Sequence, residues 1–254
     1  MASHLIQGRT VSMPVRVRDA AVCSVLYTVR ADAARAVIAY SGLEIAEVFP
    51  GKAICALAFV DYRDGDLDAY HEFGVAFLVR PPGRPGRVGL GELPHAGAFI
   101  HWLPVDQGFT LEAGRTIWGF PKELTDIDLR LGSPFKRCVV RRDGRLVLDL
   151  LLKPGLPVPR PPALTGLNAY THQDGVTRRV PWAVRARRVR ARPGGALIRL
   201  GNHPIAKELS ELGLPKAALL SSTVDHAEMV FGAARDVRPG DAGAGVRRSA
   251  GGPA

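Results

Sequence analysis

A chain of 254 residues, 46% of them hydrophobic, has apolar material for one large globular unit or two small ones. No stretch reaches the eighteen or so uninterrupted apolar residues of a membrane-spanning helix, and the start, Met1-Ala2-Ser3-His4, lacks the layout of a secretory signal, so the cytosol is the expected location. The formal charge of +10 matches a nucleic-acid binder in sign only, and the three scattered cysteines, Cys23, Cys55 and Cys138, exclude a Cys-x-x-Cys metal site or a disulfide framework.

Along the chain, short apolar runs alternate with Gly, Pro and Asp-Gly punctuation, and few windows keep a helical period. Strands are expected at residues 21–29, 52–62, 72–80, 98–105, 124–131, 135–142 and 145–153. The last two join across Asp143-Gly144, a tight-hairpin signal, and Asp174-Gly175 marks a second such turn. Helices are expected at 32–40, alanine-rich behind an Asp cap, and at 204–212, where Ile205, Leu209 and Leu212 share a face before Gly213 stops the run. Both should lie against the sheet. Residues 154–162 hold five prolines in nine positions and predict an extended surface connection. Beyond Val237 the composition has almost nothing to bury, which predicts a disordered tail at 238–254 behind a single domain at 1–237. The fold class is α+β and mostly antiparallel β.

The densest basic run holds Arg178, Arg179, Arg185, Arg187, Arg188, Arg190 and Arg192, interleaved with Val180, Trp182, Val184, Ala186, Val189 and Ala191. That alternation predicts a strand with one basic face. The face is either plainly solvated or a site for anions; no nucleic-acid motif accompanies it, so nucleic acid is not an expected partner.

Six lysines stand against twenty-eight arginines, and Lys122 has the most unusual setting of the six. It follows Ile117-Trp118-Gly119-Phe120-Pro121, an apolar and conformationally restricted approach. Spacing alone fits either a surface lysine after a proline turn or an amine held from water, where desolvation favours the neutral, nucleophilic form. Glu72 opens the apolar run 73–79. It is either a solvated strand end or a buried carboxylate that needs a partner and suits proton transfer. His95 and His101 match no common metal spacing, and Gly89-Leu90-Gly91-Glu92 lacks the third glycine and helix of a dinucleotide loop. Ser221-Ser222 and Asp225-His226 have triad residue types without a nucleophile elbow. No metal or other cofactor is expected.

The segment Gly114-Arg115-Thr116-Ile117-Trp118-Gly119-Phe120-Pro121-Lys122-Glu123-Leu124 resembles the Gly-Arg … Pro-Lys-Lys-Leu signature of acetoacetate decarboxylases. Similarity extends through Leu26-Tyr27-Thr28-Val29-Arg30-Ala31-Asp32, Tyr70-His71-Glu72, and His203-Pro204 to Phe231, covering about residues 15–237. The resemblance implies a cone-shaped β-barrel with Lys122 as the Schiff-base lysine in its interior and Glu72 beside it. It also implies a substrate-binding arginine, with Arg18 the nearest counterpart and Arg30 the alternative if the alignment slips. Trp118, Phe120 and Glu123 are the remaining candidates for substrate contact. The implied substrate is a keto acid or other small carbonyl compound, and a homo-oligomer is the implied assembly. The implied activity is that of a carbon–carbon lyase: decarboxylation of a β-keto acid, or aldol or dehydration chemistry on the same imine. A barrel that binds small molecules without turnover is the third reading. Two positions depart from the decarboxylase pattern. Glu123 stands where a second lysine follows the first, and an anion pointing the same way as Lys122 would stabilise its ammonium form. Cys55 or Ala56 stands where those enzymes carry another glutamate.

Overall fold

The structure, a computed structural model, describes residues 2–80, 96–159 and 165–237. The expected tail at 238–254, His95 and the Gly89-Leu90-Gly91-Glu92 run lie outside the described residues.

An N-terminal hairpin pairs β1 (Ser3–Ile6) with β2 (Arg9–Ser12). The long strand β3 (Val15–Arg30) feeds α1 (Ala31–Ile38), and β4 (Glu47–Phe49), β5 (Lys52–Gly65), β6 (Tyr70–Val79) and β7 (Gly97–Val105) follow. Helix α2 (Gly108–Trp118) leads into β8 (Lys122–Leu124), β9 (Asp126–Arg130), β10 (Lys136–Arg142) and β11 (Arg145–Leu152). The C-terminal part holds β12 (Leu156–Pro157), β13 (Thr165–Gln173), β14 (Val176–Pro193), β15 (Ala196–Leu200), α3 (Pro204–Glu211), β16 (Leu220–Phe231) and β17 (Arg235–Asp236).

The large sheet runs β14-β13-β7-β6-β5-β3-β16, and β16 pairs back onto β14, so these strands close a barrel. Every neighbouring pair in that ring is antiparallel except β13 with β7. Closure depends on the eighteen residues of β14, whose first half pairs with β13 and second half with β16. Arg188, at φ 54°, interrupts the second ladder between the Arg187–His226 and Val189–Val224 partners without shifting its register. The fold is thus α+β and largely antiparallel, a curled and closed sheet with three α-helices among the described residues.

Side chains on a strand alternate between faces, and here the two faces differ in bulk. In Cys55-Ala56-Leu57-Ala58-Phe59, the large residues point outward. There they join Phe73, Phe77 and Tyr27 in a core covered by Val140, Leu148 and Leu150 of the second sheet, β15-β11-β10-β9, and by Ile38 of α1 and Leu209 of α3. The inward positions are small: Ala56, Ala58, Gly74, Ala76 and Ala98. The main core therefore lies outside this part of the barrel wall, and space is left within.

The expected strands all form, with the 124–131 run split at Thr125, whose backbone N–H bonds to Val105 O at 2.9 Å. Asp143-Gly144 and Asp174-Gly175 both make turns with two positive φ angles, the conformation that Asp-Gly favours. Helix α1 begins one residue before Asp32, so Arg30 is the cap and Asp32 lies in the first turn, its Oδ1 accepting from Ala33 N at 2.8 Å. Helix α3 starts at the expected proline, with the His203 ring as the capping acceptor. The proline-rich segment makes a two-residue edge strand, β12, against Ala191 and Arg190.

The basic strand is largely engaged within the chain. Arg190 and Arg192 donate to the carbonyls of Gly155 and Pro154 at 3.2 Å, Arg178 faces Asp236, and Arg185 and Arg187 share Glu228. Several of its guanidinium groups therefore hold neighbouring elements. Among the described residues no helix is long and apolar enough to cross a membrane, and no group of three or more His, Cys, Asp or Glu side chains is placed to hold a metal ion.

Candidate active site

Lys122 enters the barrel from the end of a short, tightly specified segment. Gln107 Oε1 accepts from Thr110 N at 2.6 Å and starts α2; Gly119, at φ 73°, ends it in a left-handed cap. Pro121 follows and prevents the helix from resuming. The chain then pairs Lys122 in parallel with Leu103 of β7, and Arg115 Nε donates to the Lys122 carbonyl at 2.8 Å. From there the lysine stem lies directly on α2: a Cβ added at Gly114 would stand 2.5 Å from Lys122 Cδ and 2.6 Å from Cε. The Gly-Arg pair of the sequence motif thus has two physical tasks, leaving room for the stem and fixing the backbone beneath it.

The amine reaches three groups. Lys122 Nζ lies 2.9 Å from Glu72 Oε2, donates to Thr110 Oγ1 at 3.0 Å, and sits 4.9 Å from the centre of the Tyr70 ring. Only 2% of Lys122 and 8% of Glu72 is exposed. Burying two charges is unfavourable unless they are paired and their remaining lone pairs satisfied, and the second carboxylate oxygen meets that condition: Tyr62 OH donates to Glu72 Oε1 at 3.0 Å. Tyr62 stacks on Tyr70 with ring centres 4.3 Å apart. Burial, and then the Glu72 carboxylate, hold both phenols protonated well above their ordinary range, so Tyr62 stays a donor.

Lys122, Glu72, Tyr62 and Tyr70, in mutual contact, line one part of a cavity of about 230 Å³ inside the barrel. The rest of its wall is apolar, including the five small inward residues, Val60, Ile100 and Met229, with Trp118, Phe120, Trp182 and Phe231 as aromatic sides. Half-exposed Asp68 lies toward solvent and is held by Arg9 at 2.5 Å.

Of the candidates read from the sequence, Lys122, Glu72, Trp118 and Phe120 come together here. Three do not. Glu123 is the next residue on a strand and so faces the other way, pairing with Arg142 at 2.5 Å; it is no neighbour of the amine. Arg18 points outward from β3, because Val15 and Val17 take the inward positions, and it binds Asp64 and Asp66 at 2.6–2.9 Å. Arg30, at the far end of β3, is exposed and pairs with Asp32. Neither arginine lines the cavity. At the second departure Ala56 faces the cavity, whereas Cys55 lies in the outer core, where burial pushes its thiol up to about 12. All three cysteines are free and buried.

Tyr62 and Thr110 were not among the sequence candidates, and Tyr70 figured only in the Tyr70-His71-Glu72 resemblance, with no role at the site. Tyr62 shares the inward parity of Ala56, Ala58 and Val60, which was a usable signal; Thr110 lies on a helix that the sequence did not announce. Of the set-aside residues, His101 bonds to Tyr40 OH at 3.1 Å and lies 2.8 Å from Glu208. Ser222 bonds to Ser24, and His226 to Asp19 at 3.0 Å, so no triad forms.

A family model described as acetoacetate decarboxylase matches residues 6–236. No curated protein sequence matches the chain. Among solved structures, an acetoacetate decarboxylase from Legionella pneumophila is 16% identical, with 91% of each chain covered and a TM-score of 0.63. The enduracididine biosynthesis enzyme MppR, complexed with pyruvate, is 18% identical over 90% of this chain and 92% of its own, at 0.65. An acetoacetate decarboxylase-like enzyme from Sphingomonas wittichii RW1 is 17% identical over 93% and 98%, at 0.56. At these identities the likeness is one of fold.

Proposed function

The chain belongs to the acetoacetate decarboxylase family, and from that premise we propose that it is an enzyme in which Lys122 condenses with the carbonyl of a keto-acid substrate. The observation that carries the reading is the enclosed amine of Lys122, 2.9 Å from the Glu72 carboxylate at the polar part of an apolar cavity.

The pair is net neutral whether written as ammonium and carboxylate or as amine and carboxylic acid, and one proton moved across 2.9 Å interconverts the two. In the second form the free amine attacks the substrate carbonyl carbon. Glu72, now holding the proton, delivers it to the carbinolamine hydroxyl, which leaves as water and produces the iminium. With a β-keto acid, the bond to the carboxylate carbon then breaks. Its electron pair becomes the enamine double bond, carbon dioxide departs, and the iminium charge is neutralised. A step that annihilates opposite charges is favoured by an apolar wall. Protonation at carbon and hydrolysis of the imine release the ketone. Tyr62, fixed as a donor to Glu72, orients the carboxylate throughout.

Aldol or dehydration chemistry on the same iminium is the second reading, and the substitution at Cys55 or Ala56 favours it: neither residue supplies the further carboxylate of the decarboxylase pattern, and Ala56 puts only a methyl group on the inward wall. A similar structure, MppR, was solved with the condensation product of pyruvate and imidazole 4-carboxaldehyde.

Borohydride reduction in the presence of a panel of keto acids, followed by mass spectrometry, tests the shared step. The expected product is a reduced adduct on Lys122 that is absent in Lys122→Arg, which keeps a cation beside Glu72 but cannot form an imine. An adduct that persists in the variant, or none with any carbonyl compound, defeats the proposal. Release of carbon dioxide then separates decarboxylation from its alternatives.

A further inference from the structure

The imine chemistry fixes only one end of the substrate; the wall opposite Lys122 describes the other end. We propose that the substrate carries an uncharged, apolar body, of about the size of an aromatic ring or a short alkyl chain, beyond its carbonyl carbon. The inference rests on the imine reading and specifies its substrate class: aryl- or alkyl-bearing ketones and β-keto acids rather than pyruvate-sized or dianionic keto acids.

Two positive features carry it. The first is room. The inward positions of β5, β6 and β7 are Ala56, Ala58, Gly74, Ala76 and Ala98, and together they leave a cavity of about 230 Å³. An apolar cavity of about 150 Å³ accepts benzene, so a ring fits here with space left for the reacting end. The second is polarity by position. Tyr62, Tyr70, Glu72 and Lys122 stand together, where the carbonyl must lie to meet the amine; Ile100, Met229, Trp182 and Phe231 belong to the apolar remainder. Among the described residues, the unpaired polar atom of that remainder is the Trp182 indole N–H, so a charged tail directed there would lose its water for a single neutral donor, whereas an apolar body would be stabilised in proportion to the area it buries. Trp182 and Phe231, near-parallel with ring centres 5.6 Å apart, put two aromatic rings in that wall, and aromatic side chains pack favourably against a ring.

The test compares acetone with 4-phenylbutan-2-one, methyl ketones that offer the same reacting carbonyl and differ in the body. Borohydride-trapped adduct on the intact protein is measured against ketone concentration, with 2-oxoglutarate as the dianionic probe. The expected result is half-saturation by 4-phenylbutan-2-one at a concentration at least about 30-fold below that for acetone, with 2-oxoglutarate the weakest. In Ala76→Leu, which narrows the wall, that ratio is expected to shrink severalfold. Equal half-saturation by the two ketones, or a preference for 2-oxoglutarate, overturns the substrate class while leaving the imine intact. Absence of adduct with every probe defeats the imine reading instead. The substrate class then stands or falls on whether 4-phenylbutan-2-one perturbs the tryptophan fluorescence of Lys122→Ala at concentrations where acetone does not.

Discussion

Gly114 and Lys122 are in mutual contact through the absence of a side chain: the lysine stem occupies the space where any other residue on α2 would place its Cβ, 2.5 Å from Cδ. A glycine in a helix interior lowers helix stability by about 1 kcal/mol relative to alanine, so its presence here is a packing requirement. Gly114→Ala is accordingly expected to leave the melting temperature within a few degrees, the propensity gain offsetting the clash with a flexible side chain. Borohydride trapping at Lys122 should fall at least about tenfold, because an amine displaced by about 1 Å loses its alignment with Glu72. Gly108→Ala in the same helix, where an added Cβ meets nothing within 4 Å, serves as the control and should trap normally. Equal trapping by both variants would refute the packing argument.

Tyr62 acts on the amine through Glu72. Its hydroxyl donates to Oε1 at 3.0 Å while Oε2 faces Lys122, and a hydrogen bond of this kind contributes roughly 1.5 kcal/mol, or about tenfold in rate. Tyr62→Phe is therefore expected to lower kcat about tenfold with KM little changed. The phenol stays protonated far above its ordinary range, so the alkaline limb of the pH–rate profile should coincide in the two proteins. An alkaline limb that moves with the substitution would show Tyr62 to be titrating in catalysis, contrary to this assignment.

Glu123 tests the converse case, a conspicuous substitution with little expected effect on chemistry. It occupies the place of the decarboxylases' second lysine but faces Arg142 on the outside. Glu123→Lys should alter the trapping rate by less than about twofold. It should lower stability by no more than about 1 kcal/mol, as for partly exposed ion pairs generally. A large gain in trapping would mean that charge at this position is felt by the amine after all.

How much of this was legible in the sequence follows from the range of the forces involved. Strand alternation is local, and the runs around Cys55–Phe59 and Phe73–Val79 announced both strands; which face turns inward, and so which of Ala56 and Cys55 meets the cavity, depends on how the sheet curls. The Asp143-Gly144 and Asp174-Gly175 turns were equally local. Helix α2 was not legible, because Gly108, Gly114, Thr110, Thr116 and Ile117 are weak helix formers and its cap is the unusual Gln107. That helix exists where tertiary packing, the burial of Phe109, Ala113, Ile117 and Trp118, overrides propensity. Lys122 and Glu72 were found by motif, and no spacing rule could reveal that they lie 2.9 Å apart across fifty residues of chain. Arg18 misled for the same reason: its partners Asp64 and Asp66 arrive from the end of β5 and the turn after it.

Away from the cavity, Asp149 offers a test of the second sheet. Arg137 grips its carboxylate with two hydrogen bonds, at 2.7 and 2.8 Å, and Arg199 adds a third at 3.3 Å, tying β10, β11 and β15 together. The Arg137 hydrogen bonds, outweighing burial, hold the Asp149 carboxyl below its ordinary range. A carboxyl whose folded value is depressed contributes stability that is complete above its unfolded value of about 3.9 and is lost as the pH falls through the folded value. Asp149→Asn should therefore be less stable than the parent by about 1–3 kcal/mol at pH 7 and should converge with it as urea unfolding is repeated down to pH 2.5. Convergence is the diagnostic outcome, since loss of packing alone would separate the two proteins equally at every pH. A constant difference would show that the three-strand tie is steric rather than ionic.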